Sequence, residues 1–337
     1  MVAFTGLGSL PGTDFAAAVR MTFDKVADFP YLPELPTRGP WAGLIGRGLG
    51  LPSGLPAELA AGEWRLANAV GIDQRRARTT WRDDLDRLEE NTQGFVGRFK
   101  VAVAGPWTLA AALGVAHTGR VVADQGARRD LAQSLADSVA ELLADLRKRL
   151  PGAEMVVQLD EPSLPAVAAG AVPTPGGFFR HQAIDLPEIL TALAWVGQGA
   201  VRGGAVEVVL HSCAAWAGPS QSWPLVSLLS SSGAGLAAVS LDIDTLTGAD
   251  LDALGEAADA GHRLYLGVLP TSRPLLGADA LTVRTLRLLE RIGSPNPEAI
   301  VLTPACGLAG LSSAEVSAAF AALHTVTGRV ADELGAG

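Results

Sequence analysis

The chain contains little cysteine and no long apolar run, and each of these absences excludes a class of protein. Two cysteines in 337 residues are too few for the disulfide framework of a small secreted domain. No window reaches about 18 uninterrupted apolar residues, so we predict no membrane-spanning helix. The first residues lack the basic segment and the apolar segment of a signal peptide. We therefore expect a cytoplasmic protein with no membrane partner.

Positive charge and aromatic side chains are also scarce. The sequence has 26 Lys and Arg residues against 35 Asp and Glu residues, a formal charge of −9, and 5% aromatic residues. This charge would repel a polyphosphate, and no basic stripe with interleaved aromatics is present, so we predict no nucleic-acid partner. Because 48% of the residues are hydrophobic and 18% are charged, the composition is typical of a globular protein with a large core.

Short β-prone apolar runs alternate with long Ala- and Leu-rich segments, a pattern typical of parallel strands joined by crossover helices. The run Phe29–Glu34 is the weakest because it contains two prolines. Eight strands favour a single (β/α)8 TIM barrel, an α/β fold, formed by one domain over residues 1–337. An open doubly wound sheet is the alternative. The predicted strands are Val2–Gly8, Phe29–Glu34, Phe99–Gly105, Met155–Asp160, Val206–His211, Ala237–Asp242, Leu264–Val268 and Ile300–Pro304.

Helices are predicted between these strands from the spacing of their apolar residues. The stretch between Glu34 and Phe99 has no linker composition, so we interpret it as an elaborated crossover between strands 2 and 3. Before the last helix, Ser312 and Glu315 have the spacing of a capping box. The predicted helices are Thr13–Lys25, Leu55–Gly71, Arg75–Thr92, Gly126–Leu150, Leu186–Val201, Ser222–Ser232, Gly248–Ala260, Ala278–Ile292 and Ser312–Leu334.

Polar residues follow the predicted strands, where a parallel barrel forms its active site. His211 and Cys213 are two positions apart at one strand end, so their side chains point the same way, and Cys306 follows the last strand. One imidazole and two thiolates suit zinc, and Asp242, which ends the neighbouring strand, is the expected fourth ligand, with Asp244 as the alternative. In the competing interpretation the cysteines are inert core residues and the histidine is only hydrogen-bonded.

Zinc with thiolate ligands is suited to holding an incoming thiol as a nucleophilic thiolate, which indicates alkyl transfer onto sulfur. Asp160 and Glu34 are candidates to anchor the amino group of an amino-acid thiol, and Ser9 with nearby backbone N–H groups is a candidate for its carboxylate. Each carboxylate also has a structural interpretation, as a loop cap or a solvated turn. The run Gly6–Pro11 lacks the third glycine of a dinucleotide site and the lysine of a phosphate loop.

In their order along the chain, these motifs resemble the C-terminal catalytic barrel of the cobalamin-independent methionine synthase family. That family belongs to a larger group of barrels that includes uroporphyrinogen decarboxylase. The resemblance spans nearly the whole chain. Its motifs are Gly8-Ser9-Leu10-Pro11, Glu34, Gly105-Pro106-Trp107-Thr108, the run from Gln158 to Leu164, His211-Ser212-Cys213 and Cys306-Gly307-Leu308.

The resemblance implies a zinc-dependent methyltransferase that converts homocysteine to methionine with methyltetrahydrofolate as donor. The family's second barrel, which helps to bind folate, has no room in 337 residues, so a methylated corrinoid protein stays open as donor. A different thiol acceptor and a non-catalytic barrel that binds zinc and an amino-acid thiol also stay open. The implied ligands are His211, Cys213, Asp242 (where the family has Glu) and Cys306 for zinc, and Leu7, Gly8, Ser9, Glu34 and Asp160 for homocysteine.

Overall fold

The computed structural model describes residues 2–51, 55–115, 119–218, 222–230, 235–293 and 295–335. Eleven strands lie within these ranges. In chain order they are β1 (Ala3–Phe4), β2 (Ala57–Ala60), β3 (Glu63–Leu66), β4 (Val96–Ala104), β5 (Gly114–Val115), β6 (Gly119–Arg120), β7 (Gly152–Asp160), β8 (Glu207–Ser212), β9 (Ala238–Asp242), β10 (Arg263–Leu269) and β11 (Ile300–Pro304).

Eleven α-helices lie within the same ranges, and most of them follow a strand and return the chain to the start of the next one. They are α1 (Phe15–Lys25), α2 (Leu44–Leu49), α3 (Ile72–Asn91), α4 (Pro106–Ala112), α5 (Gln125–Arg149), α6 (Leu164–Ala168), α7 (Leu186–Gly203), α8 (Leu225–Ser230), α9 (Gly248–Asp259), α10 (Ala278–Arg291) and α11 (Ser313–Gly335).

The central sheet is parallel and curled, with seven strands in the order β1-β11-β10-β9-β8-β7-β4. From β7 to β11 the strands are neighbours in chain order, which agrees with the predicted α/β class. The register pairs Asp160 with His211 and Gly267 with Asp242. Because all the strands run in the same direction, their carboxyl ends lie along one rim of the sheet.

The predicted second strand, Phe29–Glu34, is not a strand in the structure. It lies between the two edges of the curled sheet and forms isolated parallel bridges, Ser9 to Glu34 on one side and Tyr31 to Lys100 on the other. A proline has no N–H to donate, so the two prolines in this segment reduce the ladder to single bridges. The expectation of eight strands in one sheet is therefore replaced by seven strands and a bridging segment.

The predicted helix Leu55–Gly71 is wrong, because this segment contains the antiparallel hairpin β2–β3. Its turn has left-handed backbone at Ala61 and Gly62, with φ values of 49° and 83°. Ala, Leu and Glu favour a helix individually, but the alternating burial of the strands, with Trp64 inside, outweighs these preferences. The hairpin belongs to a small second sheet, in the order β2-β3-β5-β6.

The other predicted helices are observed with ends shifted by a few residues. The segment predicted over 222–232 is helical over Leu225–Ser230, and 231–232 lie outside the described residues. At the last helix the N–H of Glu315 donates to Ser312 Oγ at 3.3 Å, and the N–H of Ser312 donates to the Glu315 carboxylate at 2.7 Å. The predicted capping box is therefore present. In the part of the chain that the structure describes, no helix is long and apolar enough to span a membrane.

A small apolar cluster fills the inside of the curled sheet, while the larger core lies between the sheet and its helices. Val156 on β7 belongs to the inner cluster, so Gln158 and Asp160, two and four positions later, share its side of the strand. One face of β7 thus leads from the apolar interior to the rim. The inner cluster is Phe29, Val156, Val209, Ala238, Tyr265 and Val301.

Candidate functional site

A cavity of about 210 Å³ lies at the carboxyl ends of the central strands. Seven of the nine predicted site residues line it, and Gly8 and Asp242 lie outside its lining. A larger cavity of about 620 Å³ between α5 and α7 contains none of the nine. The residues lining the smaller cavity are Leu7, Ser9, Glu34, Pro36, Leu44, Asp160, Pro162, His211, Cys213, Cys306 and Gly307.

The two cysteines form a close pair in this cavity. Cys213 follows β8 and Cys306 follows β11, and their Sγ atoms lie 3.4 Å apart. A proton shared between the sulfurs lowers the pKa of Cys306 to about 6 and raises the pKa of Cys213, whose burial acts in the same direction. The pair therefore releases a first proton readily and a second one only with difficulty.

His211 is a buried, neutral imidazole at the end of β8. Its Nδ1 lies 3.1 Å from the Ser240 carbonyl oxygen and 3.0 Å from the Ser240 hydroxyl. Burial and the charge of Lys100 lower the pKa of the ring to about 3. A neutral ring that donates its Nδ1–H to the carbonyl keeps a lone pair on Nε2, which is the arrangement of many metal-binding histidines.

The imidazole nitrogen and the two thiol sulfurs are donor types that suit a zinc ion, and the predicted fourth ligand, Asp242, also caps a turn. The Asp242 carboxylate accepts the N–H of Asp244 at 3.0 Å and caps the turn that follows β9. Asp244, the alternative ligand, pairs with Arg284 at 2.6 Å. Within the described ranges, no three His, Cys, Asp or Glu side chains form a group that could hold a metal ion. The residue types of His211, Cys213 and Cys306 therefore fit zinc, but as placed the three side chains do not form a metal-holding group, and Asp242 uses only Oδ1 in its cap.

Asp160 and Glu34 are the buried carboxylates of the cavity. Burial raises the pKa of each, and the charge of Glu34 raises the pKa of Asp160 further. Gln158 donates from Nε2 to Asp160 Oδ1 at 2.7 Å, and the Lys100 ammonium donates to Gln158 Oε1. Two carboxylates that repel each other beside one cavity favour the binding of a cation between them.

Glu161, next to Asp160 in the chain, has a structural function. Its carboxylate accepts the N–H of Trp107 at 2.9 Å, and the N–H and hydroxyl of Thr108, both at 2.7 Å, at the start of α4. Burial raises its pKa to about 7. Gly105 makes room for this carboxylate, since a Cβ there would collide with it. The Gly105–Thr108 motif therefore fixes a helix start and does not enter the cavity.

The loop after β1 contributes backbone groups and the Ser9 hydroxyl. Gly8 has a left-handed backbone with φ of 112°. Its carbonyl oxygen accepts the N–H of Glu34, with 3.0 Å between the oxygen and the nitrogen. Leu7 accepts the Gln158 amide at 3.3 Å. Among the described residues, no hydrogen bond engages the Ser9 hydroxyl, and a Cβ on Gly307 would collide with it. This hydroxyl is therefore an available donor at the cavity wall.

Three buried polar residues around the site had no function assigned from the sequence: Lys100, Gln158 and Arg47. Lys100 is a charge inside an apolar strand run, and Gln158 shares the strand face of Asp160, so both signals were present in the sequence. Arg47 lies on the short α2 helix, whose glycines give no helical pattern, and the sequence contained no signal for it.

No protein-family profile and no curated protein matches this sequence. The chain is similar in structure to a B12-independent methionine synthase from Shewanella sp. W3-18-1 in complex with selenomethionine. The TM-score is 0.65 and the sequence identity 15%, over 100% of this chain and 99% of that chain. A GH138 enzyme targeting pectin rhamnogalacturonan II gives a TM-score of 0.45 and 11% identity, over 98% of this chain and 39% of that chain. The first likeness establishes a shared fold.

Proposed function

We propose that this chain is a zinc-dependent S-methyltransferase of the cobalamin-independent methionine synthase type, which methylates homocysteine to methionine. The main support is one cavity that combines a thiol pair and a neutral imidazole with two buried carboxylates. The shared fold with a methionine synthase agrees with this assignment. In this proposal the bridging segment Phe29–Glu34 takes the place of the eighth strand and closes the TIM barrel, and residues 1–337 form a single domain.

His211, Cys213 and Cys306 would hold the zinc ion. When bound, zinc would stabilise the substrate sulfur as a thiolate that remains nucleophilic. His211 would bind through Nε2, because Nδ1 is engaged by Ser240. Asp242, the predicted fourth ligand, would join them through Oδ2, because its Oδ1 accepts the Asp244 N–H.

The amino and carboxylate groups of homocysteine would bind at two ends of the cavity. Glu34 and Asp160 would hold the ammonium group, whose positive charge relieves their mutual repulsion. The Ser9 hydroxyl, with the backbone N–H groups of Leu7 and Gly8, would hold the carboxylate. Anchoring both ends of the amino acid restricts its sulfur to the cysteine side of the cavity, which lowers the entropic cost of the reaction.

Methyl transfer would then be an in-line displacement. The substrate thiol loses its proton to solvent, its sulfur forms a bond to the methyl carbon, and the bond between methyl and donor breaks with its electron pair remaining on the donor. The donor in this proposal is 5-methyltetrahydrofolate or a methylated corrinoid protein.

The test combines zinc content, calorimetric binding of homocysteine, and methionine formation with either 5-methyltetrahydrofolate or methylcobalamin. Cys306→Ala is the matched variant. The expected results are zinc in the wild type, an added sulfur ligand in its X-ray absorption spectrum with homocysteine, and turnover with one donor. Binding without turnover from either donor would favour the non-catalytic barrel. Methylation of another thiol but not homocysteine would change the substrate, and a wild type that binds neither zinc nor homocysteine would refute the proposal.

A further inference from the structure

Arg47 is a buried cation directly behind the cavity. It is 3% exposed, and its Nε lies 3.6 Å from Oε1 of Glu34, one of the cavity carboxylates. Within the described ranges its Nε and Nη2 have no hydrogen-bond partner. An arginine whose N–H groups are buried without partners loses their hydration without compensation, so its position calls for an explanation.

The remaining contacts of Arg47 fix its guanidinium in place. Nη1 pairs with Asp84 at 3.0 Å, and Asp84 is in turn held by both terminal nitrogens of Arg38 at 2.7 and 2.8 Å. The guanidinium carbon lies 3.9 Å from the centre of the Trp81 ring, and the indole N–H donates to the Arg47 carbonyl at 2.9 Å. Only the Nε and Nη2 groups remain for Glu34.

From these contacts we infer that Arg47 is a positioning residue, which holds the Glu34 carboxylate ionised and oriented for an ammonium group in the cavity. The charges alternate in sign from Glu34 through Arg47 and Asp84 to Arg38. Without Arg47, Glu34 would be a buried carboxylate beside Asp160, and the repulsion between the two would favour protonation of one of them. A protonated Glu34 would no longer attract a cation.

This inference gives the elaborated crossover a function. Helix α2 supplies Arg47, and α3 supplies Trp81 and Asp84, so the crossover builds the support for one anchor. Gly50 allows α2 to lie close to α3, since a Cβ there would lie 2.8 Å from the Cβ of Ala77. The inference rests on the proposed function, because it assigns an amino group to the ligand.

The test compares two thiols by calorimetry on the zinc-loaded full chain: homocysteine and 4-mercaptobutanoate, which lacks only the amino group. For Arg47→Met we expect the Kd of homocysteine to rise roughly 10- to 100-fold, and the Kd of 4-mercaptobutanoate to stay within about twofold. In the Glu34→Gln background the same substitution should have little further effect, because Arg47 acts through Glu34. Arg128→Met, which removes an arginine–glutamate pair outside the cavity, is the control.

Equal losses for both thiols would show that Arg47 is only structural, and an unchanged Kd of homocysteine would also overturn the inference. If Arg47→Met fails to fold, Arg47→Lys replaces it, because it keeps the positive charge but lacks the paired N–H groups. For this variant we expect an intermediate rise in the Kd of homocysteine and the same comparison with 4-mercaptobutanoate. A wild type that binds neither thiol refutes the proposed function and the inference with it. A wild type that binds homocysteine no better than Arg47→Met refutes the inference alone.

Discussion

The Sγ atoms of Cys213 and Cys306 lie 3.4 Å apart, although 93 positions separate the residues in the chain. Their strands, β8 and β11, have β9 and β10 between them. Three strand spacings in a flat sheet amount to about 14 Å. The contact therefore depends on the curvature of the sheet, which turns the loops after both strands towards one cavity.

Zinc content tests the role of this pair. We expect about one zinc ion per chain in protein purified without chelator, and a near-complete loss in Cys213→Ser and in Cys306→Ser, because each removes a thiolate ligand. Asp137→Asn is the control, since Asp137 pairs with Arg202 on the surface and does not line the cavity. Elemental analysis gives the ratio. A wild type that stays metal-free after zinc is supplied would contradict the prediction.

Asp160→Asn should weaken homocysteine binding without removing zinc. The substitution keeps the shape of the side chain and removes the charge that would pair with the ammonium, so we expect the Kd to rise roughly 10- to 100-fold. Calorimetry measures the affinity, and elemental analysis confirms the unchanged zinc. An Asp160→Asn variant that binds homocysteine like the wild type would remove this residue from the site.

Lys100→Met should weaken homocysteine binding without lowering the stability of the fold. Burial lowers the pKa of Lys100 to about 7, so its folded-state pKa lies below that of the unfolded chain, and the cost of the buried charge is largest at and below neutral pH. An apolar side chain of similar volume removes this cost, so the free energy of unfolding at pH 7 should be equal or higher. The Kd of homocysteine should rise about tenfold, because Gln158 loses the hydrogen bond that orients its amide towards Asp160.

Thermal unfolding and calorimetry measure the two effects separately. A variant with lower stability and unchanged affinity would show that Lys100 supports only the core.

Glu161→Gln should change the pH dependence of stability. Burial raises the pKa of this carboxyl from 4.5 to about 7 in the folded protein. Its contribution is therefore fully present below the unfolded-state pKa and is lost as the pH rises through about 7. The free energy of unfolding of the wild type should fall relative to that of the variant between pH 4.5 and 7. Because Asp160 and Glu34 are present in both proteins, their contributions cancel in the difference.

Urea unfolding at several pH values gives this difference directly. Parallel stability profiles for the wild type and Glu161→Gln would contradict the prediction.

The local sequence pattern is sufficient to predict the strands of the central sheet, but it is not sufficient to predict the structure of the crossover. Seven of the eight predicted strands overlap strands of the central sheet, because buried parallel strands are continuous apolar runs. The sequence does not predict the hairpin β2–β3, because its residues favour a helix individually and its pairing depends on neighbours in space. The segment Phe29–Glu34 has the expected place but not the expected ladder, owing to its prolines.

The sequence by itself determined the alternating α/β pattern and the residue types at the strand ends, since periodicity and strand polarity are local properties. Only the tertiary structure decided which of those residues face one cavity. It placed seven of the nine there, turned Asp242 to cap its own loop, and used Glu161 to start α4. It also brought Arg47 behind Glu34, because buried charges find their partners through packing between distant segments, which no spacing along the chain specifies.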